Sequence, residues 1–597
     1  MTTIPLPPGL RFLDDAGFAS LAAPFVEHGV LELVDVHAVD LIAGAFGRPS
    51  PEVQLALALA IRAPRHGHVG VELHSVAGTV VVETPADIDG DAPERVDFPW
   101  PENTTRWFDD TCSCGLVQVI DDAGGTPARR PFVMHEKILI AERWWRHQLA
   151  IRDRLLERAR LEEALVTPRP GEPGRPIDVT LLRKGLDALF GASADPEQRL
   201  AAMVAVLRPL SLISGGPGTG KTTTVRKVLA LLFAQWRAAH GATDSADFSG
   251  IAPLVALAAP TGKAATRMEE AIREGVDALQ EQAGKAACEW LESLRPSTLH
   301  RLLNQVRPGR NGASHLPHDI VLVDEASMID LALMRRLVEA VRPDARLILL
   351  GDRDQLASVA AGTVLADLTR DAGPSGMRFG TRMADRIREI APSVELAGKA
   401  VEQAPALADG VVQLLTSHRA EAHSGVWAVM DSIARAQRTT SPEAESTRAR
   451  DALLDRATLL LTATSSAERE GFGDLTFFHH DVRKEQGAAT ESAKVTAAAA
   501  KEMVDGWLPI VRAARNTECN HVALLAMLED FRVLAAHRRG ALGVEGLNDL
   551  IGRAIASRLL GSDAAAGTPE DWMRAPALPH DFVGRPVIVT ENRYDVQ

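Results

Sequence analysis

Aromatic side chains are scarce in this chain: sixteen phenylalanines, nine tryptophans and a single tyrosine make up 4% of 597 residues. Platforms on which nucleic-acid bases could stack are therefore few. Cysteine is scarcer, with four in the whole chain, which excludes a disulfide framework. Cys112 and Cys114 form only a C-x-C near His135, while Cys288 and Cys519 stand alone, so all four read as ordinary thiols and not as metal ligands. No apolar run approaches the roughly 18 residues that a membrane span needs. The N-terminal "MTTIPLPPGLRFLDD" has no basic start followed by an apolar stretch, as a secretory leader would. These absences predict a cytoplasmic protein without a membrane partner. The net charge of -14 excludes a chain that coats nucleic acid over its whole surface, and confines any DNA track to a local groove. No acidic constellation of the kind a nuclease needs is present.

What is present is ordinary globular material, 46% hydrophobic and 24% charged, long enough for several domains. Up to about Pro127 the chain reads as a helical module, with "PEVQLALALAIRAPRHG" a good amphipathic helix. "RPFVMHEKILIAERWWRHQLAIRDRLLERARLEEAL" predicts a short strand pair and a long helix, with Trp144 and Trp145 as packing at a junction. Between Leu210 and Asp352 four apolar strands each end in a polar cluster: "LSLIS", "LVALAAP", "DIVLV" and "RLILLG". Ligands of open parallel α/β sheets sit at the carboxyl ends of strands, so four polar clusters at four such ends predict one shared site. From about Glu402 to Asp530 the pattern is mostly helical, with "ESAKVTAAAAKEMV" the clearest piece. Strand-like stretches return in "DFRVLAAHRRG" and "GRPVIVTEN".

The first cluster is "SLISGGPGTGKTTTV", from Ser211 to Val225. Gly215, four residues, and then Gly220-Lys221-Thr222 make a complete phosphate loop. The candidate nucleotide-binding residues are Gly215, Gly216, Pro217, Gly218, Thr219, Gly220, Lys221, Thr222 and Thr223. Glycines let backbone N–H groups turn toward the phosphates, and the following helix adds its positive end. Lys221 neutralises the β and γ phosphates, and the Thr222 hydroxyl suits magnesium. In "DIVLVDEAS", Asp324 ends a buried strand, where a carboxylate with no cation is costly. Holding magnesium explains it, and Glu325 next to it can deprotonate the attacking water. A carboxylate pair that merely caps the next helix is the plainer reading, but it leaves the phosphate loop unexplained. "LGDRDQLASV" places Gln355 at another strand end, suited to touch the γ-phosphate. No Asn-Lys-x-Asp pattern for reading guanine is found. ATP and Mg²⁺ are thus the expected ligands.

At this point the chain resembles a known family. "ISGGPGTGKTTTV", "APTGKAATRM", "STLHRLL", "VLVDEASMIDLALM", "GDRDQLASVAAGTVLADL" and "LTSHR" occur in the order and near the spacing of the motifs of the RecD family, the superfamily 1 helicases that form the alpha subunit of exodeoxyribonuclease V. The likeness runs from about Phe132 to the end and is most specific before Asp352. It implies an α/β fold of RecA-like P-loop domains with parallel sheets, behind a helical N-terminal domain. The implied division is a partner-binding domain at 1–125, a first motor domain at 126–404 and a second at 405–597. It implies that Gln198 reads adenine and that Arg419 reaches the γ-phosphate across a domain cleft. It implies single-stranded DNA contacts at Thr261, Lys263, Thr298 and His300. Its implied partners are RecB-like and RecC-like subunits, in a heterotrimer acting on DNA ends in double-strand break repair and recombination.

The resemblance also implies segments that this sequence lacks. The family continues beyond "GRPVIVTEN" to a "VHKSQG"-type motif and an arginine-bearing "TRAR" motif, whereas this chain stops at "RYDVQ". The second motor domain is expected to be incomplete. Two readings follow, an ATP-dependent 5′–3′ DNA helicase subunit and an ATP-binding structural or regulatory subunit that does not translocate. Because a missing arginine can cost about 10³-fold in rate, the 597-residue chain alone is expected to show weak ATPase and no 5′–3′ unwinding. A strand-displacement assay on a 5′-tailed duplex, with and without an appended C-terminal segment, measures this; robust unwinding by the chain alone is the contrary result.

Overall fold

The computed structural model describes residues 8–79, 98–121, 127–161, 176–191, 195–241, 252–306, 315–355, 361–416 (apart from 363, 371, 373–376, 393 and 397–398), 497–516, 520–535 and 543–559, with Trp572 and Val583. The chain divides into two compact units, one of Met1–Val81 with Phe98–Ala457 and one of Val82–Asp97 with Thr458–Gln597.

The first unit begins with helices Ala16–Glu27, Leu33–Phe46 and Pro51–Arg62. Asp15 caps the first by accepting from the amides of Gly17 and Phe18, and Ser50 caps the third, with Pro51 in its first turn. In the third helix every residue from Val53 to Ala60 is buried. The module expected here to be helical also carries strands. β1 (Gly70–Glu72), β2 (Val117–Val119), β3 (Phe132–His135) and β4 (Ile138–Ala141) form a sheet of order β1-β4-β3-β2. Strands of three residues are too short to show an alternating pattern. The expected strand pair is β3–β4, turned at Glu136 and Lys137, both with positive φ. The predicted long helix follows as Glu142–Ala159, and Trp145 packs with Ile120, Val133 and Ile140.

A six-stranded parallel sheet holds the centre of this unit. Its strands are β5 (Leu210–Gly215), β6 (Val255–Ala259), β7 (Ser297–Thr298), β8 (Ile320–Val323), β9 (Arg346–Gly351) and β12 (Val411–Leu414), in the order β12-β5-β9-β8-β6-β7. A separate two-residue pair joins β10 (Phe379–Gly380) to β11 (Ala400–Val401). The four strands read from sequence are β5, β6, β8 and β9. Each is apolar on both faces because helices cover both. Ile213, Leu257, Leu322 and Leu350 face the core built with helices Val179–Phe190, Pro196–Leu207 and Lys221–Ala239. Leu212, Ala258, Val323 and Leu349 face the opposite core, with Glu142–Ala159 and Leu331–Ala340.

β12 differs from expectation. Val411–Leu414 pairs with Leu212–Gly215 of β5, so these residues belong to the first sheet although the expected boundary at 404/405 put them beyond it. The run "VVQLL" is short, and its partner strand lies about 200 residues away in sequence.

The second unit shows helices Ala497–Ala514, His521–Asp530 and Val544–Leu559, around a core of Ala500, Val504, Leu508, Val511, Leu550, Ile551, Ala554, Ile555 and Trp572. "ESAKVTAAAAKEMV" lies partly in the first of these. Phe531–Ala535, expected to start a strand, has no regular structure, and "GRPVIVTEN" lies outside the described residues. Among the described residues no helix is long and apolar enough to cross a membrane.

At the amino-terminal end of the sheet three arginines are buried on backbone carbonyls. Arg158 donates to the carbonyls of Val341 (2.7 Å), Arg342 (2.5 Å) and Ala345 (2.6 Å), and so closes the exit of helix Leu331–Ala340. Arg208 donates to Ala159 O, and Arg346 donates to Val206 O at 3.0 Å. Removing Arg158 would strand several buried acceptors at once. Arg158→Ala should therefore lower unfolding stability by about 3 kcal/mol or more. Arg158→Met, which keeps the stem but not the donors, should lose most of the same amount in denaturant titrations. A Met variant as stable as the parent would make Arg158 a packing residue only.

Candidate nucleotide site

Three strand ends meet at the carboxyl edge of the sheet. β5 runs into the glycine loop, which turns at Gly218 (φ 78°) and Gly220 (φ 81°) before helix Lys221–Ala239 begins. At two glycines a Cβ would crowd a neighbour. A Cβ on Gly215 would lie 2.5 Å from Thr219 Oγ1 and 3.0 Å from Leu414 Cβ, and one on Gly220 would lie 2.3 Å from Gln198 Nε2. The loop is thus packed from below by β12 and from one side by Gln198. Within it, Thr219 Oγ1 donates to Gly216 O at 2.9 Å. The Lys221 ammonium donates to Gly215 O, and to Gly216 O at 3.1 Å, which keeps its charge inside the arc of the loop. Thr222 and Thr223 occupy the first helical turn and are half-buried.

β8 supplies the acidic pair. Burial pushes the Asp324 carboxyl above the ordinary carboxylate range, the neighbouring Glu325 adds to the rise, and the Glu325 amide and the Lys221 ammonium oppose it. Asp324 Oδ1 accepts from the Glu325 amide at 2.8 Å. Glu325 has φ 53°, in the left-handed region that a glutamate rarely adopts. That backbone turns the chain directly from β8 into the single turn Ala326–Met328. β9 supplies Asp352 and Gln355. Burial also raises the Asp352 carboxyl, and Lys221 pulls it down. Both carboxylates feel the same ammonium, so the ends of β5, β8 and β9 share one electrostatic site.

Gln198, on helix Pro196–Leu207, is 7% exposed and donates from Nε2 to Thr219 O at 3.2 Å. The next residue back, Glu197, accepts from the amides of Leu415 (2.5 Å) and Thr416 (3.3 Å), at the start of "LTSHR". Arg419 itself lies outside the described residues. Thr261 and Thr298 sit one strand further along, where Ala259 of β6 pairs with Thr298 of β7. Thr261 Oγ1 caps helix Gly262–Arg273 by accepting from the Ala264 amide (3.2 Å), and Thr298 Oγ1 caps Leu299–Asn304 by accepting from the Arg301 amide (3.3 Å). A hydroxyl used this way still has a hydrogen to donate. Lys263 and His300 are exposed beside them. The four candidate DNA contacts therefore lie on adjacent strand ends.

Sequence reasoning passed over three residues that organise the site: Glu197, Ser214 and Ser327. Ser214 Oγ accepts from the Arg353 amide at 3.2 Å, and Ser327 Oγ donates to Gln355 Oε1 at 2.8 Å. Both serines stand inside recognised motifs, but nothing in the motif pattern marks a hydroxyl as a tie to a loop that lies far along the chain.

The donor set fits a magnesium-bound nucleotide. The loop carries an ammonium held within its arc, and Thr222 and Asp324 offer oxygens of the hard kind that magnesium prefers. A desolvated Asp324 gains from such a cation.

Comparison with known proteins places the chain. Residues 198–361 match the AAA domain family. The chain is 34% identical over 584 residues to the RecBCD enzyme subunit RecD of Mycolicibacterium smegmatis, a match covering 97% of this chain and 79% of that protein. It is 38% identical over 368 residues to the RecBCD enzyme subunit RecD of Mycobacterium tuberculosis, covering 60% of this chain and only 54% of the relative. A shorter match, 38% over 165 residues, is to the ATP-dependent RecD2 DNA helicase of Deinococcus radiodurans, covering 27% of this chain and 18% of that one.

The raised Asp324 carboxyl has a consequence for stability. Its charged form is disfavoured in the folded chain, so folding loses free energy as pH rises from the ordinary carboxylate range through the raised value. Asp324→Asn removes that penalty and keeps an oxygen for the Glu325 amide. In nucleotide-free protein at neutral pH it should melt above the parent. The gap should close toward acid pH. Equal melting at every pH would mean that the carboxylate is well solvated.

With the phosphate loop and the acidic strand end in place, the 34% identity along nearly the whole chain to a protein of which it covers 79% establishes that the chain belongs to the RecD family of P-loop DNA helicases.

Proposed function

We propose that this chain is an ATP-driven 5′–3′ DNA helicase subunit of a RecBCD-type enzyme, working in the cytoplasm on double-strand breaks beside RecB-like and RecC-like partners. The observation that carries the reading is the convergence of Lys221, Asp324 and Asp352 in one electrostatic site at three strand ends.

In this reading the loop from Gly215 to Thr223 holds the triphosphate, and Gln198 packs beside it on the adenine side. Thr222 and Asp324 would hold magnesium, which would neutralise phosphate charge there. Glu325 takes the proton of the attacking water, its carboxylate aimed by the left-handed turn that carries it. Lys221 faces the charge that develops on the γ-phosphate. Gln355 touches that phosphate from β9, and Arg419 reaches it from across a cleft between domains. Thr261, Lys263, Thr298 and His300 then form the first-domain side of the DNA track, with hydroxyls and a cation suited to a sugar-phosphate backbone. The domain division at 1–125, 126–404 and 405–597, with the second boundary shifted past β12, belongs to the same proposal.

Two substitutions test the chemistry. Lys221→Ala should lower the ATPase rate by about 10²-fold or more. Glu325→Gln should bind ATP with affinity near the parent and hydrolyse it slowly, since it keeps shape and hydrogen bonding but cannot take a proton. ATPase assays with and without single-stranded DNA, paired with a binding titration, give the answer. Loss of binding together with hydrolysis in Glu325→Gln would make that residue structural.

A further inference from the structure

The loop after β9 is tied on both sides by serines. Ser214 belongs to β5, one residue before the phosphate loop, and is 1% exposed. Its hydroxyl oxygen accepts from the Arg353 amide at 3.2 Å. Ser327 belongs to the turn Ala326–Met328, directly after the acidic pair, and is 9% exposed. Its hydroxyl donates to Gln355 Oε1 at 2.8 Å. Inside the loop the Asp354 amide donates to Asp352 Oδ1 at 3.0 Å, and the Gln355 amide donates to Asp352 O at 3.3 Å.

Space makes the tie possible. A Cβ on Gly351 would come within 3.0 Å of the Ser327 nitrogen and 3.3 Å of the Ala326 nitrogen. Only a glycine lets β9 end this close to the acidic turn. The approach brings the Gln355 side-chain amide within reach of Ser327.

A glutamine amide has an accepting end and a donating end. On a flexible side chain either end can face a bound phosphate, and only the NH₂ end binds it. Occupying Oε1 with a buried hydroxyl donor removes that ambiguity and leaves Nε2 as the end that can donate to an anion.

We propose that Ser327 is a positioning residue that holds the Gln355 amide with its NH₂ end presented to the γ-phosphate, and so ties γ-phosphate recognition to the turn that carries Glu325. The proposal rests on the nucleotide reading of this site. It adds a physical route from β9 to β8. A phosphate contact at Gln355 pulls on Ser327, and Ser327 is two residues from the left-handed Glu325, whose backbone has little freedom to absorb the shift without moving the carboxylate. Ser214 holds the other end of the same loop against β5, so the contact does not simply drag the loop along.

The test reads γ-phosphate selectivity and does not require hydrolysis. The affinities of ADP and of ATPγS are measured by fluorescence titration for the full chain, for Ser327→Ala, for Gln355→Ala and for the double variant. The parent should prefer ATPγS. Ser327→Ala should lose several-fold of that preference while its ADP affinity stays near the parent's. The double variant should be no worse than Gln355→Ala, because the serine acts only through the glutamine. Ser327→Thr, which keeps the hydroxyl, should regain selectivity. A Ser327→Ala variant with the parent's selectivity, or losses that add in the double variant, would overturn the positioning role and leave the nucleotide site standing. A parent chain that binds neither nucleotide would overturn both.

Discussion

The carboxylate of Asp324 at the end of a buried strand sets the terms for the rest of the site. Burial pushes its pKa up and the Glu325 charge adds to the rise, while the Glu325 amide and the Lys221 ammonium offset part of it. A residue placed at such a cost on the nucleotide-free fold makes sense where a cation completes it. Everything around it serves the same arrangement. The parallel sheet brings β5, β9 and β8 side by side so that lysine and carboxylates meet. Gly215 and Gly220 let β12 and Gln198 press against the loop, and Gly351 lets β9 end against the acidic turn.

The sheet's far edge answers a different need. Its amino-terminal end is held by arginines whose partners are carbonyls, so the long helix Glu142–Ala159 is locked to the sheet through Arg158. Charged groups stiffen the bottom of the domain while the top remains a set of loops. Glu197 carries the same logic outward, because it grips the chain at Leu415 and Thr416 just before the segment that leads to Arg419.

Much of this was legible from sequence. The four long strands announce themselves as apolar runs ended by polar clusters, because a sheet covered on both faces admits nothing else. The phosphate loop and the Asp324–Glu325 pair are readable because the chemistry demands fixed spacing. What escaped reading was short or distant. β1 and β2 have three residues each, and β7 has two, too few for any period to show. β12 shows itself only through pairing with β5, far away in the chain. The serine ties are single hydroxyls that bridge 28 residues in one case and 139 in the other, and no local pattern distinguishes them from serines facing solvent. The left-handed backbone of Glu325 carries no sequence signature either.

One site built from three strand ends must hold nucleotide and magnesium together. A structure of the chain with ADP, magnesium and beryllium fluoride tests it most directly. The metal is expected between the Thr222 hydroxyl and the Asp324 carboxylate, and the fluoroberyllate against Lys221 with the Gln355 NH₂ facing it. Metal held by other carboxylates, or a nucleotide bound away from the loop between β5 and helix Lys221–Ala239, would contradict it.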